Sequence, residues 1–250
     1  MKYRNYFILM LITMFLTVSL GACDGKVKES KPGTFSVESA YIREEGNHLK
    51  INAQYPILSG FPESEKLNTE IEGKVEAAAD EVRNAALELE GREGFTAFLN
   101  SGYQYFNNKD LASIWINFDN YTGGAHGLYW IDSYTLNTET GQIYTFHQLF
   151  TDEKNGVEYV TKKILKEVAE SNDEYFENAK NTIVDYGGNY NFLINGDKLM
   201  VYFPLYEIAP YVAGIRSFSF SEKELEGLLK PEISGAMENQ EAQHIPFLNR

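Results

Sequence analysis

Three glycines within five positions interrupt a strand-like region near the middle of the chain. The run Asn120-Tyr121-Thr122-Gly123-Gly124-Ala125-His126-Gly127 separates Leu111 to Asp119 (LASIWINFD) from Leu128 to Leu136 (LYWIDSYTL). Both flanks are rich in β-branched and aromatic residues, which suit a pleated, half-buried surface. Glycine tolerates positive φ and close backbone approach. The backbone is therefore expected to reverse, bulge or bind at this point, and whatever surrounds it must fit that geometry.

The N-terminus is not expected to join the fold. Lys2 and Arg4 form a short basic region, and Phe7 to Val18 is almost wholly apolar. That is the length of a signal-peptide core and too short for a membrane span. Leu20-Gly21-Ala22-Cys23 follows, with the pattern of a bacterial lipobox. Residues 1–22 are thus expected to be a lipoprotein signal peptide. Cys23 is then the lipidation site, and 23–33 a polar tether to the membrane. The chain has a single cysteine, and it stands where that reading needs it. With Cys23 modified, no thiol remains for a disulfide, a metal or a nucleophile. The expected location is the cell envelope, on the periplasmic or extracellular face, attached through lipid alone.

The net charge of −14 becomes more negative once Lys2 and Arg4 leave with the leader. Such an acidic body argues against nucleic acid and anionic membrane surfaces and would attract a basic partner; solubility alone is the plainer explanation. Aromatics make up 14% of the residues, enough for a substantial core.

The periodicity predicts strands over 34–42 and 48–55 joined by a Glu44-Glu45-Gly46-Asn47 turn. The clearest helix runs from Pro62 to Glu90, where Leu67, Ile71, Val75, Ala78, Val82, Ala86 and Leu89 form one apolar stripe. Strands are expected at 103–106, 111–119, 128–136 and 142–146. A second helix is expected over 152–169, with a short one over 172–183. Strands at 191–194, 198–205 and 215–220 precede a capping box at Ser221-Glu222-Lys223-Glu224. From 230 to 250 periodicity is lost, and a loosely ordered tail is expected. This order predicts an α+β fold of two abutting modules, each a helix packed on a mainly antiparallel sheet.

The glycine stretch, Asn137 to Gly141 (NTETG), His147-Gln148-Leu149-Phe150 and the run from Phe203 to Gly214 (FPLYEIAPYVAG) occur in an order that resembles the DUF3298 family. That is the extracellular domain type of the RsiV anti-sigma factor. The preceding segment resembles DUF4163, found ahead of the catalytic domain of PdaC peptidoglycan deacetylases. The resemblance implies a DUF4163-like module over 34–119 and a DUF3298-like module over 120–229. RsiV-like proteins also carry a sigma-binding segment and a transmembrane helix, neither of which is recognisable here, so an anti-sigma role is not expected. The histidines at 48, 126, 147 and 244 provide no pair spaced as in the PdaC metal site, so neither metal, cofactor nor deacetylase activity is carried over. What the resemblance implies is an envelope binding module. RsiV relatives bind lysozyme, a basic protein, and a peptidoglycan fragment is the other ligand considered.

Candidate ligand-binding residues are Tyr121, Gly123, Gly124, His126, Tyr129 and Trp130 around the glycine stretch, and Tyr206, Glu207 and Tyr211 around Pro204 and Pro210. Aromatic side chains give flat contact area for a protein or a sugar. Each taken singly is more often core. The two groups would face one another across a groove, or the second would be a rigid connector. A rival reading makes His126 the base of a cell-wall glycan-acting enzyme, paired with Asp119 or Asp132. No nucleophile motif accompanies it, which favours a structural histidine that shapes its loop. A third reading is a structural envelope lipoprotein without a soluble ligand.

Overall fold

The computed structural model describes residues 34–171 and 174–245. The leader, Cys23 and the tether expected from the sequence lie outside the described residues.

β1 (Ser36–Glu45) and β2 (Leu49–Ser59) form an antiparallel hairpin. Its turn is closed by Gly46 N–H donating to Leu49 O at 2.8 Å. The helix α1 (Ser64–Glu88) then crosses over to β3 (Ala97–Asn108), which lies parallel to β2. A parallel neighbour needs such a crossover, because no tight turn can connect the two strands. β4 (Leu111–Tyr121) and β5 (Leu128–Asn137) follow in antiparallel order, completing a five-stranded sheet β1-β2-β3-β4-β5. β3 begins earlier than its sequence suggests, because pairing on both sides supports residues of weak strand preference such as Asn100.

α1 buries Leu67, Ile71, Val75, Ala78, Val82 and Ala86 against one face of this sheet, the stripe expected from their spacing. Each buried Leu, Ile or Val there contributes roughly 1.5–3 kcal/mol. β4 is buried on both faces from Leu111 to Phe118. Ala112, Ile114, Ile116 and Phe118 join the core under α1. Leu111 and Trp115 point the other way, into a second core. That alternation explains why the segment reads as a continuous apolar run.

The second core lies under a three-stranded antiparallel sheet of β6 (Asn191–Asn195), β7 (Lys198–Phe203) and β8 (Arg216–Ser221). α2 (Glu153–Glu170) adds Val160, Ile164 and Val168 to it. Its N-terminus is capped by Asp152, whose carboxylate accepts from Asn155 N–H. α3 (Ala179–Asp185) follows. The two sheets are joined by polar contacts. Ser113 Oγ accepts from Ile194 N–H at 2.9 Å, and Ser133 Oγ donates to Phe192 O at 2.6 Å.

The protein is thus an α+β fold with helices packed on mainly antiparallel sheets. The position 119/120, where the sequence suggests a module boundary, falls inside the first sheet: β5 pairs with β4 from Leu128 to Asn137. Two further differences concern short segments. Residues 142–146 contribute an isolated bridge from Ile143 to Leu136 where a strand was expected. The segment after 230, expected to be loose, contains α4 (Pro231–Met237), with proline at its first position. Ile233, Ala236 and Met237 are buried, so tertiary contact orders a helix too short to show a periodicity.

Candidate functional site

The loop between β4 and β5 is shaped by its glycines. Gly123 and Gly124 have φ of 93° and 136°, a region other residues rarely enter. Gly127 sits so close to the preceding strand that an added Cβ would lie 2.4 Å from Asn120 O. Tyr121 folds over the loop, its hydroxyl donating to Gly124 O at 3.0 Å. These three glycines are therefore needed for backbone geometry, and together they place His126 at the tip.

His126 is held from two sides. Nδ1–H donates to Gly127 O at 2.9 Å, which leaves Nε2 of the neutral ring as an acceptor. Tyr206 supplies the hydroxyl, 3.0 Å from Nε2. The ring of Tyr211 stacks on His126 with centroids 4.0 Å apart, and its hydroxyl donates to the same Gly127 O at 2.9 Å. Tyr129 meets Tyr211 edge-on at 6.0 Å. The segment between Pro204 and Pro210 thus faces the glycine loop directly.

Tyr206 stands out within this group. It occupies the third position of a turn closed by Glu207 N–H donating to Pro204 O at 3.3 Å. Its φ is 66°, where glycine or asparagine is the usual choice. A left-handed non-glycine residue costs on the order of 1–3 kcal/mol. Tyr206 is nevertheless 48% exposed, so core packing does not explain it. Leu128 is also exposed, and Val212 is 91% exposed, so the aromatic group is flanked by bare aliphatic side chains.

Other expected site residues lie elsewhere. Trp130 stacks flat on Phe118, centroids 4.8 Å apart, on the α1 face of the sheet. Asp132 is on that face too. Lys74 of α1 reaches it at 3.8 Å, and burial raises its pKa against the pull of that lysine. Strand alternation therefore separates Asp132 from His126, and the His126–Asp132 pairing is not formed. Asp119 Oδ1 lies beside Gly127, but both ring nitrogens of His126 are engaged by other groups. Glu207 lies beside Tyr186, whose hydroxyl pKa is pushed up to about 12 by burial and then by the Glu207 charge. The arrangement offers a surface for contact and a tyrosine hydroxyl held by a histidine.

One feature escaped the sequence reading. A concavity of about 610 Å³ lies between α2 and α3, lined by Val157, Leu165, Val184 and His147. Val157 and Leu165 are half-buried against the second core and also line this opening. His147 Nε2–H donates to Gly187 O at 3.1 Å. Its place in the His147-Gln148-Leu149-Phe150 motif was the only available signal. Among the described residues no group of three or more His, Cys, Asp or Glu side chains is placed to hold a metal ion.

Comparison with known proteins matches two stretches. Residues 42–129 match the family model described as deacetylase PdaC, and residues 147–223 match DUF3298, a protein family of unknown function. The glycine stretch falls within the first match, although the sequence resemblance placed it with DUF3298. No curated protein matches the chain. A crystal structure of a DUF3298 family member from Bacteroides fragilis is 19% identical. It covers 84% of this chain and 99% of its own, with a TM-score of 0.54. A DUF3298 family protein from Pseudomonas aeruginosa is 14% identical, covers 81% and 96%, and has a TM-score of 0.51. These likenesses show a shared fold. The chain therefore carries, within one α+β body, a segment matching the PdaC family model followed by a segment matching DUF3298.

Proposed function

We propose that the protein is a non-catalytic binding protein of the cell envelope, lipid-anchored through Cys23, and that the ridge of His126, Tyr206 and Tyr211 is its contact surface. The observation that carries this reading is Tyr206, strained in its backbone, half exposed, and oriented by its hydroxyl bond to His126. Strain of this kind persists where surrounding structure enforces it and is common at ligand contacts. Tyrosine also contributes large contact area at small entropic cost. Exposed Leu128 and Val212 extend the ridge with apolar surface. The chain's net charge of −14 supports a basic protein partner, of which lysozyme is the first to test. A peptidoglycan fragment is the other ligand of this reading.

Calorimetric titration of the protein with lysozyme, at low and at moderate salt, tests the proposal. Binding that persists at moderate salt, and falls at least tenfold in Tyr206→Ala, is expected. Binding seen only at low salt would mean that charge alone attracts the partner. No binding at either salt would remove lysozyme and bring peptidoglycan fragments forward.

A further inference from the structure

β2 accompanies β3 for only part of its length. Their pairing runs from Leu49–Ala97 to Ala53–Ser101 and then stops. β2 continues with β1, while β3 runs on to Asn108 with β4 as its strand neighbour. The last tie between them is Ser101 Oγ–H donating to Gln54 O at 2.9 Å. Beyond it the sheet splits, and a cleft of about 580 Å³ opens along β3.

The C-terminal segment forms the other wall. After α4 it is strapped across the second sheet by a reciprocal amide pair. Asn195 Nδ2–H donates to Gln243 O at 2.7 Å, and Gln243 N–H donates to Asn195 Oδ1 at 2.9 Å. Gln104 Nε2–H donates to His244 O at 3.0 Å, tying the strap to β3. Gly196 permits the close approach, since an added Cβ would meet Glu241 O at 2.4 Å.

The cleft's chemistry is unusual for so acidic a protein. Its side-chain amides are Gln54, Gln104, Asn107, Gln240 and Gln243, with Tyr103 and Tyr105 between them. Glu241 is the one lining residue with a carboxylate, and none is basic. Tyr105 is 41% exposed, with its ring held edge-on by Phe35 at 6.2 Å. Gln54 is pre-positioned, its Nε2–H donating to Ser39 Oγ at 2.9 Å, and Ser39 in turn meets Tyr103 OH at 2.8 Å.

These properties select a ligand class. An anionic ligand would need basic groups, which the lining lacks, and a cationic one would meet Glu241 alone. An apolar ligand would strip water from the amides without replacing their hydrogen bonds. A neutral sugar satisfies both demands: its hydroxyls pair with planar amides, and its C–H face stacks on an aromatic ring. The volume suits a short oligosaccharide, since small-ligand sites span about 300–1,000 Å³. We propose that the cleft between β3 and the C-terminal strap, walled by Gln54, Gln104, Tyr105 and Gln243, binds a neutral oligosaccharide. This site is separate from the His126 ridge and does not depend on that surface being functional.

The chain carries its own reporter. Trp115 is fully buried, and its indole N–H donates to Gln104 Oε1 at 3.3 Å, behind the cleft wall. Trp130, the other tryptophan, is stacked on Phe118 on the α1 side and serves as a control. The full-length chain, labelled with ¹⁵N, is titrated with tetrasaccharides of β-1,4-linked N-acetylglucosamine and of β-1,4-linked glucose. A saturable shift of the Trp115 indole N–H with at least one sugar is expected, with Trp130 unmoved. Tyr105→Ala should weaken it at least tenfold with an unchanged melting temperature. Gln54→Ala, on the opposite wall, should weaken it too and stands in if Tyr105→Ala does not fold. Tyr206→Ala should leave it unaltered. Silence of Trp115 toward both sugars at millimolar concentration would overturn the proposal, as would undiminished binding in the two cleft variants.

Discussion

Two polar clusters lie along β4 and β5, and they are built to opposite plans. Under α1, Asp132 faces Lys74, Lys74 also meets Glu70 at 3.4 Å, and Tyr134 donates to Glu70 at 3.0 Å. Each group there answers another, the side chain of Asp132 is only 26% exposed, and the Tyr134 hydroxyl is pushed up to about 12 by burial. At the loop tip, His126, Tyr206 and Tyr211 are held just as firmly, but by backbone carbonyls and one another. Tyr206 keeps much of its surface open and its backbone strained. The first cluster uses polarity to seat a helix on a sheet. The second presents aromatic surface to solvent, and this difference, more than residue type, is why it is the proposed contact site.

The largest test of that contrast is Gly127→Ala. The new Cβ would collide with Asn120 O, backbone against backbone, so the loop must shift. A loss of about 2–3 kcal/mol is expected from the urea midpoint, together with displacement of His126 from Tyr211. A neutral result would mean that close approach does not define the ridge. Tyr206→Gly separates strain from function. Glycine relaxes the positive φ, so stability should hold or rise by up to about 1 kcal/mol. Partner binding should fall at least tenfold, or about 1.4 kcal/mol. If stability falls instead, Tyr206 serves the fold and the contrast fails.

The smallest effect belongs to the α1 cluster. The pKa of Asp132 is raised by burial, with Lys74 opposing, so its neutral form favours the folded state. The stability this group contributes is therefore present below its unfolded pKa and is lost as pH rises through the folded value. Asp132→Asn should raise the melting temperature slightly at pH 7. That gain should vanish as pH drops below the ordinary carboxylate range. A gain independent of pH would point to packing, and a loss at pH 7 would make the Lys74 pair dominant.

Much of this molecule was legible because its signals are local. The α1 stripe, the β4 run and the Ser221 cap each depend on neighbours a few residues apart, and each forms. The cap does so within a short 3-10 turn, where Ser221 Oγ accepts from Glu224 N–H. Proximity in sequence misled at Asp132, because alternate strand residues point to opposite faces and a helix on one side captures the carboxylate. α4 was invisible because seven residues hold too few turns to display a stripe.

The chain's own order of residues determined the α+β class, the main elements and the need for glycine at the β4–β5 loop. Only the tertiary structure decided that Tyr206 and Tyr211, roughly eighty residues further on, close over His126. It also decided that β2 leaves β3 at Ser101 and opens an amide-lined cleft against the C-terminal strap. The physical reason is common to both. Sheet pairing and core packing join distant segments through burial, which has no direction along the chain, so their juxtaposition leaves no local periodicity to read.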